Sequence, residues 1–221
     1  MTTNYTAAWV PDDDPHRDWN EAAALAVDWI LTEARTQNAT PLLVTPTQSQ
    51  WNANVEPITR FARTYPATTP GSRNRTPSGD GPVLVYVPDY ETLHQAADYA
   101  RRSSLAVVES AQFPLIGWAM EAGAVNLLTG EPTPDTRTDH QREELDHIHF
   151  YGNNGWTRGF GADQALRVLR DLLTKEPLPA EVIVGSMLGK GHHGEAVARL
   201  SKLIERAAPK GGGKAVSSRQ W

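Results

Sequence analysis

No cysteine occurs among the 221 residues. Disulfides, thiolate nucleophiles and cysteine-ligated metals are therefore excluded together. No apolar run approaches the roughly 20 residues that span a bilayer. The opening MTTNYTAAWVPDDDPHRDW lacks the basic and apolar regions of a secretory signal. These absences lead us to expect a cytoplasmic, soluble chain with no membrane partner. Lysine is missing from a long stretch as well. Up to Asn154 there are 10 Arg, no Lys and 20 acidic residues, a net charge of −10, whereas from Gly155 onward 11 basic residues oppose 6 acidic ones, a net of +5. An acidic body with a basic end suits an anionic partner at that end, self-association through opposite charge, or no more than charged helix faces and a tail.

What is present is a rhythm of short apolar runs, 83–87, 105–108 and 124–128, separated by two helical segments. Runs of aliphatic and β-branched residues without polar alternation suit strands covered on both faces, the environment of a parallel sheet. Alternation with helices of this length indicates βαβ units. The fold class expected is α/β: a three-layer, Rossmann-like domain with about four mostly parallel strands, followed by a C-terminal helical region.

Residues 1–18 read as an extended arm, with Trp9 exposed and Asp12, Asp13, Asp14 and Pro15 outside regular structure. Residues 19–138 form the α/β domain. Asp18 and Glu21 have capping-box spacing ahead of a helix over 19–35, 41–44 is the first strand, and Asn54 is placed to cap the next helix. Residues 66–82, with Arg73 and Arg75, form a long loop of the kind that serves as a lid or is simply mobile. Asp89 is placed to cap a helix carrying Leu93, Ala96 and Ala100, and Gly123 closes the helix of Leu115, Ile116 and Trp118. Residues 139–208 should be helical and 209–221 a basic tail. Residues 181–184 stay open: Pro179 favours a helix start, the β-branched run a strand.

In an open parallel sheet, ligands bind beyond the carboxyl ends of the strands. That rule selects Thr45, Thr47, Gln48 and Trp51, then Asp89 and Tyr90, then Glu109 and Ser110, then Thr129 and Glu131. Hydroxyls, carboxylates and an aromatic ring in one cleft could hold a ribose or nucleoside, with Glu109 and Asp89 as candidate catalytic groups, base or nucleophile. Equally, Asp, Ser and Thr after a strand are ordinary helix caps.

Three further features compete for attention. The Gly-rich loop 151–161 offers Asn153, Asn154 and Arg158 ahead of a helix, a candidate anion seat or an ordinary turn. Gly185-Ser-Met-Leu-Gly189-Lys190-Gly191 faintly resembles a phosphate-binding P-loop, but one residue is missing and Gly191 stands where a Ser or Thr belongs. His140, Glu143, Glu144, Asp146, His147 and His149 are dense in ligand types, yet lack a second ligating pair, so no metal is assigned. Ser110 and Ser186 have no argued partners for a Ser-His-Asp arrangement. The basic end comprises His192, His193, Arg199, Lys202, Arg206, Lys210 and Lys214.

Two functions follow. One is a protein, enzyme or sensor, that binds a nucleotide-like or phosphorylated small molecule in the strand-end cleft, of hydrolase or transferase type if it is catalytic. Its ligand-binding set is Thr45, Thr47, Gln48, Ser110, Asn153, Asn154 and Arg158. The other is a non-catalytic interaction protein whose basic C-terminal end meets nucleic acid, a protein partner or a second copy. No cofactor can be named.

Overall fold

Apolar runs such as Val83–Tyr86 and Ser104–Val108 cannot face water on either side, and the chain covers them twice. A computed structural model describes residues 4–13, 15–52, 54–72 and 81–208. Arg73, Arg75, Lys210 and Lys214 therefore lie outside the described residues. The elements in chain order are β1 (Thr6–Val10), α1 (Trp19–Gln37), β2 (Leu42–Val44), a 3-10 turn (Gln48–Asn52), α2 (Glu56–Thr64), β3 (Ala67–Thr68), β4 (Val83–Tyr86) and α3 (Tyr90–Tyr99). They continue with β5 (Ser104–Val108), α4 (Ile116–Ala122), β6 (Val125–Asn126), β7 (Glu131–Pro132), α5 (Asp139–Tyr151), α6 (Phe160–Lys175), α7 (Ala180–Gly189) and α8 (Gly194–Ala207).

The seven strands among the described residues form one sheet in the order β3-β2-β4-β5-β1-β6-β7, parallel except for the β6–β7 pair. The α/β class and the C-terminal helical region are as expected, with more strands than expected. The largest departure is at the start of the chain. Thr6–Val10 is not an arm but a strand inside the sheet, paired with β5 and β6. Trp9 is buried, and its indole N–H donates to Thr133 Oγ1 at 2.8 Å. The short TAAWV run carries two alanines, so its apolar signal is weak, and the acidic stretch just after it masks it further. The expected strand 124–128 shrinks to Val125–Asn126, because Leu127 to Gly130 turn the chain back into β7.

The strands alternate their side chains between two cores. On one face Val10, Leu43, Leu84, Ala106 and Val108 meet α1 and α2. On the other, Trp9, Val44, Val85, Leu105 and Val107 meet α3, α4 and the C-terminal helices. Asp18 caps α1 by accepting from Asn20 N and Glu21 N. Asn54 does not cap α2; the Glu56 N–H is received by Asn20 Oδ1 at 2.9 Å, a contact across two helices that local spacing cannot reveal.

Residues 181–184 are helical. α7 is buried along Val182 to Gly189, so its β-branched run reflects burial on all sides rather than a strand. Its glycines are where α7 crosses α4: a Cβ on Gly185 would sit 2.6 Å from Trp118 N. The P-loop resemblance ends there, since Gly185 and Ser186 lie inside the helix.

Candidate functional site

The winding direction of the chain opens a cleft. After β1 and β2 the chain passes to α1 and α2 on one face; after β4 and β5 it passes to α3 and α4 on the other. Neighbouring strands β1 and β5, and likewise β2 and β4, thus send their chains apart at their carboxyl ends. A crevice at such a reversal is where open α/β sheets take ligands. Here it measures about 600 Å³, the size of small-molecule pockets, and its wall includes Asp12, Arg17, Trp19, Gln50, Asp89 and Phe113.

Arg17 is the only cation among the described residues of the wall. Its side chain is 3% exposed. Nη2 donates to Pro11 O and, at 3.4 Å, to Asp12 Oδ1. Nε lies 3.0 Å from Asp13 Oδ1, an ion pair without hydrogen-bond alignment, and Nη1 has no hydrogen-bond partner. A buried guanidinium donor left unmet costs on the order of 1–3 kcal/mol or more, so it is uncommon where nothing is to be bound. The guanidinium also stands 5.1 Å from the Trp19 ring centroid.

Beneath the wall lies Glu109, 6% exposed. Its carboxylate accepts from Asp12 N at 2.6 Å and from Leu115 N. Burial raises its pKa, and the two backbone donors offset part of that rise. Asp89 Oδ1 accepts from Thr92 N at 2.7 Å and so caps α3. Between them, Val87 lines the cleft with φ of 43°, a left-handed backbone that β-branched residues avoid. Such strain costs about 1–3 kcal/mol and gathers at ligand sites. The ring of Phe113 meets Tyr90 edge-on at 5.2 Å, and burial, with Glu181 and Glu109 nearby, pushes the Tyr90 hydroxyl up to about 12.

Of the residues selected from sequence, Asp89 and Ser110 line the cleft and Glu109 supports it from behind. Thr45 is buried, donating to Thr47 O and accepting from Trp51 Nε1 at 2.8 Å. Thr47 and Gln48 are exposed outside the wall, where Gln50 stands instead. Thr129, in the β6–β7 turn, and Glu131, the first residue of β7, are both exposed. Asn153, Asn154 and Arg158 are exposed on the α5–α6 loop and line no part of the cleft. The Glu109–Arg158 pairing that a shared cleft would require is therefore not assembled.

The glycines of that loop serve packing. Gly155, at φ of 68°, passes its carbonyl to Arg199 Nε at 2.7 Å, and a Cβ on Gly161 would meet Tyr151 O at 2.6 Å. The acidic and histidine residues of α5 are divided among separate partners. His147 lies 3.4 Å from Glu144, Asp146 accepts from Lys190 Nζ at 2.7 Å, and His149 Nδ1 is 2.8 Å from His192 Nε2. No group of three or more such side chains is arranged to hold a metal among the described residues. Ser186 is buried as an acceptor for Arg137 Nη1.

Sequence reading missed Asp12, Arg17, Trp19, Gln50, Val87 and Phe113. Recognising Thr6–Val10 as a strand would have found the first three, because they follow its carboxyl end. No helix among the described residues is long and apolar enough to cross a membrane. Comparisons with protein-family models, curated proteins and solved structures find no match to this chain.

Proposed function

We propose that the strand-end cleft binds a nucleotide-like small molecule. The observation that carries this reading is Arg17, a buried guanidinium with one unpartnered donor, among the residues lining a cleft at a winding reversal. Trp19 and Phe113 supply faces for a planar ring, while Asp12 and Asp89 supply acceptors for hydroxyls. These two carboxylates are also the groups open to acid–base or nucleophilic work, should the protein be a hydrolase or transferase. Glu109 acts through Asp12, whose backbone it fixes, and is a positioning residue.

Calorimetric titration with NAD, nucleotides and nucleosides tests this reading, using wild type, Trp19→Ala and Gln50→Ala. Both variants change partly exposed side chains, but Trp19 packs edge-on to Tyr86 and Gln50 accepts from Thr47 N, so the melt is recorded beside the affinity. Loss of affinity by about tenfold or more with an unchanged melt supports the cleft. Wild-type affinity in both variants removes it.

One observation favours a second, non-catalytic reading. Phe150 and Phe160 are 65% and 74% exposed, and Arg158 is exposed close by in sequence. That surface, with the basic C-terminal end, suits docking of a protein, nucleic acid or another copy. Association through the basic residues would weaken as salt rises, and salt-independent behaviour would count against them.

A further inference from the structure

We infer that the cleft takes an uncharged ligand, a nucleoside or comparable neutral ring compound bearing hydroxyls, and discriminates against its phosphate ester. This rests on the cleft reading above and narrows it.

Phosphate in α/β folds is held by free backbone N–H groups at helix N-termini, reached through glycine-rich turns. Here the chain's own side chains already take part of that capacity at each helix start. The first turn of α1 gives Asn20 N and Glu21 N to Asp18, and α3 gives Thr92 N to Asp89. Leu115 N, at the start of α4, goes to Glu109, and Glu56 N of α2 goes to the Asn20 side chain. Three of these four helix starts at the strand ends are thus occupied by the chain's own carboxylates. The backbone of α8 adds cover: a Cβ on Gly194 would lie 2.8 Å from Glu91 N, in the first turn of α3.

The connections themselves agree. Residues 11–18, 45–55, 87–89 and 109–115, which lead from β1, β2, β4 and β5 into the next helix, contain no glycine. Where backbone at positive φ is required, Val87 provides it and keeps its side chain at the wall. None of these four connections has a glycine with which to form a nest around phosphate oxygens.

Charge argues the same way. Arg17 is flanked by Asp12 at 3.4 Å and Asp13 at 3.0 Å, and Asp89 adds a further carboxylate to the wall. Among the described residues the balance is negative, which disfavours a phosphate dianion. Arg17 lines the cleft as its one described cation, already engaged by Asp12 and Asp13. Asp89 uses Oδ1 on Thr92, and its carboxylate carries a second oxygen that can accept from a hydroxyl.

The test is calorimetric titration of the full chain with adenosine, guanosine, cytidine and uridine, each against its 5′-monophosphate, in wild type, Trp19→Ala and Asp89→Asn. At least one nucleoside should bind and lose affinity in Trp19→Ala, with its monophosphate weaker by about tenfold or more. Asp89→Asn, which keeps an oxygen for Thr92 N while removing one negative charge, should narrow that gap. A monophosphate that binds as tightly as its nucleoside, and is weakened by Trp19→Ala, overturns the neutral-ligand inference and leaves the cleft reading standing. Absence of binding by every compound overturns both.

Discussion

The cleft and the C-terminal helical layer are built on opposite plans. In and against the layer, glycines are frequent and the least exposed cations, Arg137 and Lys190, are paired. Gly185 and Gly117 let α7 and α4 cross, Arg137 meets Asp135 and Glu121, and Lys190 meets Glu121 and Asp146. In the cleft the strand-to-helix connections have no glycine, the backbone is strained at Val87, and an arginine donor is unmet. The comparison teaches that glycine richness and dense charge do not by themselves mark a ligand site. In the layer both are used up by packing and pairing, and a site is better marked by buried polar capacity that the chain leaves open.

The sharpest way to break this contrast is to alter each plan in turn. Gly185→Ala places a Cβ against the backbone of α4, 2.6 Å from Trp118 N, where neither helix can yield cheaply. We expect a loss of about 3 kcal/mol, or failure to fold, by urea denaturation. Near-wild-type stability would show that this crossing is loose. Next in size is Glu109→Ala. It strips the acceptor from Asp12 N and Leu115 N, with an expected cost of about 2 kcal/mol and weaker ligand binding through the displaced Asp12. Glu109→Gln retains one acceptor oxygen and should lie between the two; equal losses would mean that the backbone contacts are not what Glu109 contributes.

This contrast also explains what the sequence made legible. The runs at Val83–Tyr86 and Ser104–Val108 were readable as covered strands because neither alternates with polar residues, and Asp89 was readable as a cap from its place between Val87-Pro88 and the apolar positions Leu93 and Ala96. Thr6–Val10 was not, since five residues with two alanines carry little hydrophobic signal and owe their place to pairing with β5 and β6, nearly 100 or more residues away. Losing that strand also lost Asp12, Arg17 and Trp19. The loop 151–161 misled for the converse reason: a glycine that turns backbone toward a ligand and one that admits Arg199 look alike in sequence.

A smaller effect tests the pairing plan of the C-terminal layer through pH. The turn between α7 and α8 is tied down by His192, which lies 2.8 Å from His149 and against Trp156, and by His193, whose ring is tilted against that of His94 with centroids 4.1 Å apart. Burial first, then the neighbouring His149, His193, His94 and Lys190, pushes the His192 pKa down to about 4. The fold thus holds neutral imidazole while the unfolded chain takes up its proton near pH 6.5. The His192 contribution should be full above that value, decline as pH falls from about 6.5 toward about 4, and level off below. Discounted for partial exposure, the His192 share is on the order of 2 kcal/mol. In His192→Gln, denaturation at pH 7 and pH 5 should differ less than in wild type; an unchanged difference would place the acid sensitivity elsewhere.

The smallest expected effect sharpens the comparison from the other side. The layer's most exposed apolar side chains are Phe150 and Phe160, with ring centroids 5.4 Å and 6.3 Å from that of Tyr151. Replacing both by Ser removes rings that are mostly in water, so stability should change by less than about 0.5 kcal/mol and ligand binding in the cleft not at all. What should change, under the interaction reading, is assembly: sedimentation of wild type at rising concentration would reveal association that the double variant lacks. Identical sedimentation of the two proteins would leave the rings without a role in self-association. An altered cleft affinity would instead mean that the two regions, so differently built, are coupled through α8, whose first residue, Gly194, abuts Glu91 at the start of α3.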